Sequence, residues 1–116
     1  RPLNVTTTEG QMEGATAQGV GYALFEEVKF EKGVMLTPSF LTYRIPTALD
    51  LPSIESLLVE TIDPAGPFGA KGVAEPAMTP TAPAIANAIY DAVGVRVKSL
   101  PITPQKVLEE LKKKKG

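Results

Sequence analysis

The chain has 116 residues, with 12 Lys+Arg against 13 Asp+Glu for a formal charge of −1, and it contains no histidine, cysteine or tryptophan. That set cannot build a usual zinc site, a Ser-His or Cys-His dyad, a thiol redox couple or a disulfide, and so small a charge does not suit a generic nucleic-acid binder. A hydrophobic content of 43% fits one globular domain with a modest core. No apolar run approaches the ~20 residues of a membrane helix, and no signal peptide opens the chain. A cytoplasmic protein that binds neither nucleic acid nor membrane is therefore expected. The chain begins with Arg1 instead of a methionine, which reads as a piece of something longer.

In chain order, Arg1 to Thr8 is expected to be extended, because Pro2 fixes its own dihedral and Val5, Thr6, Thr7 and Thr8 favour strand-like backbone. Met12, Ala15, Val20, Ala23 and Leu24 then recur at helical spacing, predicting a helix over 11–27. Gly14, Gly19 and Gly21 weaken it by ~1 kcal/mol each relative to alanine. Three such residues imply close approach of another backbone or of a ligand. Val28 and Phe30, with Val34 and Leu36, flank Glu31-Lys32-Gly33, a β-hairpin pattern with Gly33 at positive φ.

Residues 37–48 carry Pro38 and Pro46 and are expected to be irregular with a helical turn, and 54–62 is rich in Ile, Leu and Val and predicts a strand. Residues 63–72 form a loop. A second helix is expected over 81–93, with an inward stripe of Ile85, Ala88, Ile89 and Ala92 and Gly94 as its C-cap. Residues 95–97 read as a short strand. Thr103 and Pro104 supply the N-cap and first position of a third helix, with Val107, Leu108 and Leu111 facing inward and a terminal lysine run fraying into solvent. The predicted class is α+β, a single domain of about three helices and a small sheet containing a hairpin.

Two constellations carry chemistry. The first is Gly66-Pro67-Phe68-Gly69-Ala70-Lys71-Gly72-Val73-Ala74-Glu75. Its glycines permit positive φ and let backbone N–H groups approach an anion or cofactor, Lys71 adds a point charge, and Glu75 is suited to be a general base. A glycine-rich connector with solvated Lys71 and Glu75 explains the same residues. Gly72 stands where a phosphate-binding loop of the Walker type needs Ser or Thr after the lysine, so nucleotide hydrolysis gains no support. The second is Gln11 with Gln18, two turns apart and so on one side of the helix. Their amides suit a neutral heterocycle or an oxo group, or they are simply exposed polar positions of an amphipathic helix. Tyr22, Tyr43 and Tyr90 read as core-edge aromatics and Glu9, Glu13, Glu26 and Glu27 as surface charges.

Taken together, the blocks Glu9-Gly10-Gln11-Met12-Glu13-Gly14, Gln18-Gly19-Val20-Gly21-Tyr22-Ala23-Leu24-Phe25-Glu26-Glu27, Gly69-Ala70-Lys71-Gly72-Val73-Ala74-Glu75, Ala82 to Ile89, Gly94-Val95-Arg96 and Leu100-Pro101-Ile102-Thr103-Pro104 resemble the C-terminal part of the molybdopterin-binding subunit of the xanthine dehydrogenase/aldehyde oxidase family. They cover nearly the whole chain in the family's order. The resemblance makes residues 1–116 a C-terminal segment of a molybdenum-cofactor-binding domain whose upstream majority lies elsewhere. It implies a molybdenum hydroxylase that hydroxylates an aldehyde or purine-like N-heterocycle carbon with oxygen from water. The cofactor would be molybdopterin, plain or as the cytosine dinucleotide, with iron–sulfur centres and FAD on other domains or subunits. Glu75 would be the general base, Gln11 would lie near the molybdenum, and Lys71, Gly72, Val73 and Ala74 would line the cofactor, with no metal ligand supplied by this segment. The partners would be the remainder of the molybdenum subunit and the iron–sulfur and flavin subunits.

One departure is local. The family usually has Gly before the catalytic Glu, and this chain has Ala74; a positive φ there would cost alanine ~1 kcal/mol or more. From a different class, a stand-alone binding or assembly module that keeps the scaffold without catalysis also fits the residues.

Overall fold

The computed structural model describes residues 1–115. Its elements run α1 (Val5–Leu24), β1 (Phe30–Glu31), β2 (Val34–Met35), single 3₁₀ turns at Pro67–Gly69 and Glu75–Ala77, α2 (Thr81–Val93) and α3 (Pro104–Lys115). The class is α+β, three helices with one two-stranded antiparallel hairpin, as expected.

The first helix starts earlier than predicted because side chains override the strand preference of its threonines. The Asn4 side chain accepts from the Thr7 N–H at 3.0 Å, and the Thr7 and Thr8 hydroxyls donate to the Asn4 carbonyl at 3.2 and 2.7 Å. That is an N-cap, which satisfies backbone groups that an extended segment would leave to a partner strand. The helix stops at Leu24, three residues short of the predicted end, where Phe25 and Glu26 N–H groups both return to the Gly21 carbonyl at 2.8 Å. In the hairpin, Phe30 pairs with Met35 and Glu31 with Val34. Its two turn residues, Lys32 (φ 49) and Gly33 (φ 82), both take the left-handed conformation that a tight hairpin turn demands.

Neither further predicted strand forms. Residues 54–62 are irregular, although Ile54, Ser56 and Leu58 are half-buried while Glu55, Leu57 and Val59 are exposed. The alternation is strand-like, but no neighbouring strand supplies a hydrogen-bond ladder, and an isolated extended segment is not a sheet. Residues 95–97 likewise lack a partner.

The second helix has the predicted bounds, and Gly94 closes it at φ 68 with its N–H on the Tyr90 carbonyl at 2.7 Å. Its inward stripe is shifted. Ile85 and Ile89 are half-buried, Ala88 and Ala92 are exposed, and Ala82 is buried instead, next to Thr81, which meets Gly19 of α1. On the third helix the Thr103 hydroxyl accepts from the Lys106 N–H at 3.3 Å as predicted, whereas Leu108 is exposed.

The core sits where α1 and α2 meet, with Ala15, Ala23, Ala82, Val95 and Ile102 buried and no large side chain fully enclosed among the described residues. The segment before α3 is tied in by the Ile102 N–H on the Ala23 carbonyl at 2.7 Å. Lys106 Nζ reinforces it, donating to the carbonyls of Ser99, Leu100 and Pro101 at 3.3, 3.2 and 2.9 Å.

Candidate functional site

Glu75 opens a 3₁₀ turn that packs against α1 immediately before α2 begins. Pro76 holds the second position of that turn, and the Met78 N–H closes it on the Glu75 carbonyl at 3.0 Å. The Glu75 side chain is exposed. Neither ion pair among the described residues, Glu27 with Lys29 at 3.2 Å or Glu110 with Lys113 at 2.6 Å, involves it. Its carboxylate is therefore free to meet a group this chain does not contain.

Ala74 takes φ −65, ordinary right-handed backbone that any L-residue adopts. Alanine in place of the family's usual glycine therefore carries no strain here. Only Gly69 uses the left-handed region among the loop glycines (φ 77), and Phe68 joins it at φ 53. The Asp63 N–H bonds the Gly69 carbonyl at 3.2 Å, and the Asp63 carboxylate accepts from the Ala65 N–H at 2.9 Å. These bonds close a small loop with Phe68 fully exposed at its tip, 110% of the reference area. Lys71 and Gly72 are exposed and Val73 is half-buried. The Lys71 ammonium donates to the Thr61 hydroxyl, holding this strap to the irregular segment before it.

Gln11 is exposed on α1. At about 100° per residue, Gly10, Gly14, Gln18 and Gln11 share an arc of roughly 100° on that helix. All four are exposed, and a Cβ built on Gly10 or Gly14 would touch nothing within 4 Å. Ala15, Gly19 and Ala23 are buried on a different face of the helix. One face of α1 therefore packs internally, and another offers amides and bare backbone outward. The structure brings α1 and the Glu75 turn together as elements, while no hydrogen bond among the described residues joins Gln11 to Glu75 or to the 71–74 stretch. Gly10, Gly14 and Gly72 leave backbone approachable, and the Gln11 carboxamide, the Lys71 side chain and the Glu75 carboxylate are exposed, groups of the kind that can meet a polar, anionic ligand.

Two clefts lie elsewhere. One, of about 470 Å³, is lined by Arg96, Lys98, Ser99, Lys106, Glu109 and Glu110, and an apolar groove runs between Leu24, Phe25 and α3. None of the predicted site residues lines either one.

Sequence reasoning missed two groupings. Glu26, read as a surface charge, is half-buried, and its carboxylate accepts from the Tyr43 hydroxyl at 2.5 Å. That bond raises the Tyr43 pKa above its ordinary 10.0, first because the phenol proton is held by Glu26, then through burial and the carboxylate's charge. A Cβ on Gly21 would strike the Glu26 carboxylate and Pro46, so Gly21 is the seat on which residues 43–46 fold back. The second grouping is Gly19 against Thr81. Glycines inside a helix were the available signal for both, though not for the identity of the neighbour.

A family model described as "Molybdopterin cofactor-binding domain" matches residues 1–52. The xanthine dehydrogenase molybdenum-binding subunit of Escherichia coli O157:H7 is 43% identical over 110 residues, covering 93% of this chain and 15% of that protein. The aldehyde oxidoreductase of Megalodesulfovibrio gigas is 42% identical over 112 residues, covering 94% and 12% respectively. The crystal structure of quinoline 2-oxidoreductase from Pseudomonas putida 86 superposes with a TM-score of 0.85 at 34% identity, over 95% of this chain and 14% of that one. The chain thus spans a small part of the length of the proteins it matches.

Proposed function

This chain belongs to the molybdenum-binding subunits of the xanthine dehydrogenase/aldehyde oxidase family, and on that premise we propose that it forms one wall of a molybdenum-hydroxylase active site with Glu75 as general base. The whole protein would convert R–H and water into R–OH, two protons and two electrons, R–H being an aldehyde or an N-heterocycle. When bound, the molybdopterin would supply the two-electron acceptor and the Lewis acidity that activates oxygen. Everything else asked of this chain is binding and proton handling.

Gln11, with its amide donor and acceptor, would hydrogen-bond an oxygen of the cofactor centre without adding charge. Backbone N–H groups of Gly72, Val73 and Ala74 and the Lys71 ammonium would hold its polar periphery. A Glu75 carboxylate oxygen would take the proton released as the water-derived oxygen is delivered to carbon, for which an ionised carboxylate on a braced turn is suited. Electrons would leave through iron–sulfur and flavin groups on other domains or subunits. We place the chain at the C-terminal end of a longer molybdenum subunit acting in the cytoplasm. No helix among the described residues is long and apolar enough to cross a membrane.

The observation that carries this reading is the exposed, unpaired carboxylate of Glu75 on a turn packed against the helix of Gln11. The test is Glu75→Gln in the complete, molybdenum-loaded enzyme. Turnover is expected to fall by at least about 1000-fold, within the range for removing a general base, while molybdenum content stays at the wild-type level. Retained turnover would sink the assignment. A stand-alone assembly module finds less support, because residues such as Leu41, Leu49, Leu57 and Ile62 stand almost fully exposed, and soluble monomers rarely expose extensive apolar surface.

A further inference from the structure

Gly19 is buried on α1, and a Cβ there would lie 2.6 Å from Thr81 Cβ and 2.9 Å from both Thr81 Cγ2 and Oγ1. None of those atoms is the far end of a flexible side chain. Thr81 is β-branched and stiff at χ1, it opens α2, and its hydroxyl donates to the Ala77 carbonyl at 3.0 Å. The Thr81 N–H donates to the Met78 carbonyl at 3.1 Å, and the Met78 N–H donates to the Glu75 carbonyl at 3.0 Å. Pro76 and Pro80 stiffen the intervening backbone further. A short, bonded run of chain thus connects the point where α2 presses on α1 to the residue that carries the carboxylate.

We infer that Gly19 and Thr81 form a positioning contact: the depth to which Thr81 seats on the bare backbone of Gly19 sets where Glu75 stands relative to the helix of Gln11. This assignment presupposes that Glu75 is the base. Gly19 and Thr81 themselves touch no reacting atom. Their effect is transmitted through the 75–81 backbone.

Carbon atoms pack at ~3.5 Å or more, so Gly19→Ala must displace Thr81 by about 1 Å. A displacement of that size at reacting groups lowers rate by about 100-fold. In the complete, molybdenum-loaded enzyme, Gly19→Ala is therefore expected to lower kcat by about 100-fold, with KM altered less than about threefold and molybdenum content unchanged. Amide hydrogen exchange across residues 75–81 should quicken in the same variant. The reciprocal variant, Gly19→Ala with Thr81→Gly, removes the side chain that is struck and should regain at least about tenfold in kcat over Gly19→Ala alone. An unchanged KM and molybdenum content in Gly19→Ala separate a displaced Glu75 from a merely weakened fold.

Should Gly19→Ala fail to accumulate as loaded enzyme, Thr81→Ala provides the second reading. It adds no bulk and cuts the hydroxyl bond to Ala77, so a roughly fivefold loss of kcat with quicker exchange at 75–81 is expected. An unchanged kcat in either single variant, or a double variant no better than Gly19→Ala, overturns the positioning contact. Glu75→Gln is run alongside. If it is inactive while Gly19→Ala behaves as wild type, the base stands and only the positioning contact falls; if it retains turnover, both fall.

Discussion

Individual residues of this chain are chosen as often by their neighbours as by their own element. Gly19 and Gly21 both lie within α1, yet one admits Thr81 and the other admits the Glu26 carboxylate and Pro46. A helix pattern can register that glycine is out of place without naming the neighbour across the chain. Ala74, which departs from the family's habit, is harmless because its φ is −65. Thr47 and Asp50 form a capping pair, in which an Asp50 carboxylate oxygen accepts from the Thr47 N–H and hydroxyl, both at 2.7 Å. Those bonds favour the ionised form and hold the Asp50 pKa below its ordinary 3.8, the side-chain bond first and the backbone bond second. A lowered folded-state value means that the stabilisation is complete above the unfolded pKa and is lost as pH falls through the folded one. A carboxyl NMR titration of the chain labelled at its three aspartates should find Asp50 titrating below 3.8, and Thr47→Val should move that midpoint upward. An Asp50 midpoint indifferent to Thr47→Val would dismiss the pair.

Among the elements, helices were the most legible. The bounds of α2, its αL glycine and the Thr103 cap of α3 follow from local chemistry, because capping and helical periodicity act within a turn or two. Gly94 should therefore be sensitive to substitution. Its φ of 68 is unfavourable for a Cβ, which would also meet the Lys114 ammonium that lies 3.5 Å from the Val93 carbonyl. Gly94→Ala is expected to destabilise the helices by ~1 kcal/mol, whereas Gly14→Ala, with nothing within 4 Å of the new carbon, should stabilise them by up to ~1 kcal/mol. Thermal melts of the chain followed by its helical circular-dichroism signal should show midpoints moving in opposite directions; a fall in both would refute the contrast. The strand over 54–62 was misjudged for the complementary reason. Its residues favour extended backbone, but a strand exists only where a partner lies alongside.

At the scale of the whole molecule, the radius of gyration is 17.8 Å, against about 13 Å for a compact domain of this length. Phe40, Leu41, Leu49, Leu57, Val59, Ile62 and Phe68 all lie exposed along residues 40–68. That surface is too apolar for a chain at rest in water. On its own the chain is expected to bind a hydrophobic dye strongly and to self-associate, and to do neither within the longer subunit proposed above. Sedimentation and dye fluorescence of the isolated chain check this, and a compact monomer with little dye binding would contradict it. The isolated chain is also expected to hold no molybdenum tightly, since no cluster of three or more metal-ligating side chains forms among the described residues.

The amino-acid sequence by itself determined that three helices form, the bounds of α2 with its Gly94 cap, the Thr103 cap of α3, the hairpin with Gly33 at positive φ and the ordered blocks that carry the family resemblance, since each depends on residues close together along the chain. It also limited the chemistry: without histidine or cysteine, this segment cannot build the usual zinc site or a thiolate metal site. Only the tertiary structure decided which glycines are filled by neighbours, that Glu26 is half-buried against Tyr43, that residues 54–62 stay unpaired, and that the Glu75 turn rests on α1. Those outcomes depend on which distant segments meet, and that is settled by packing.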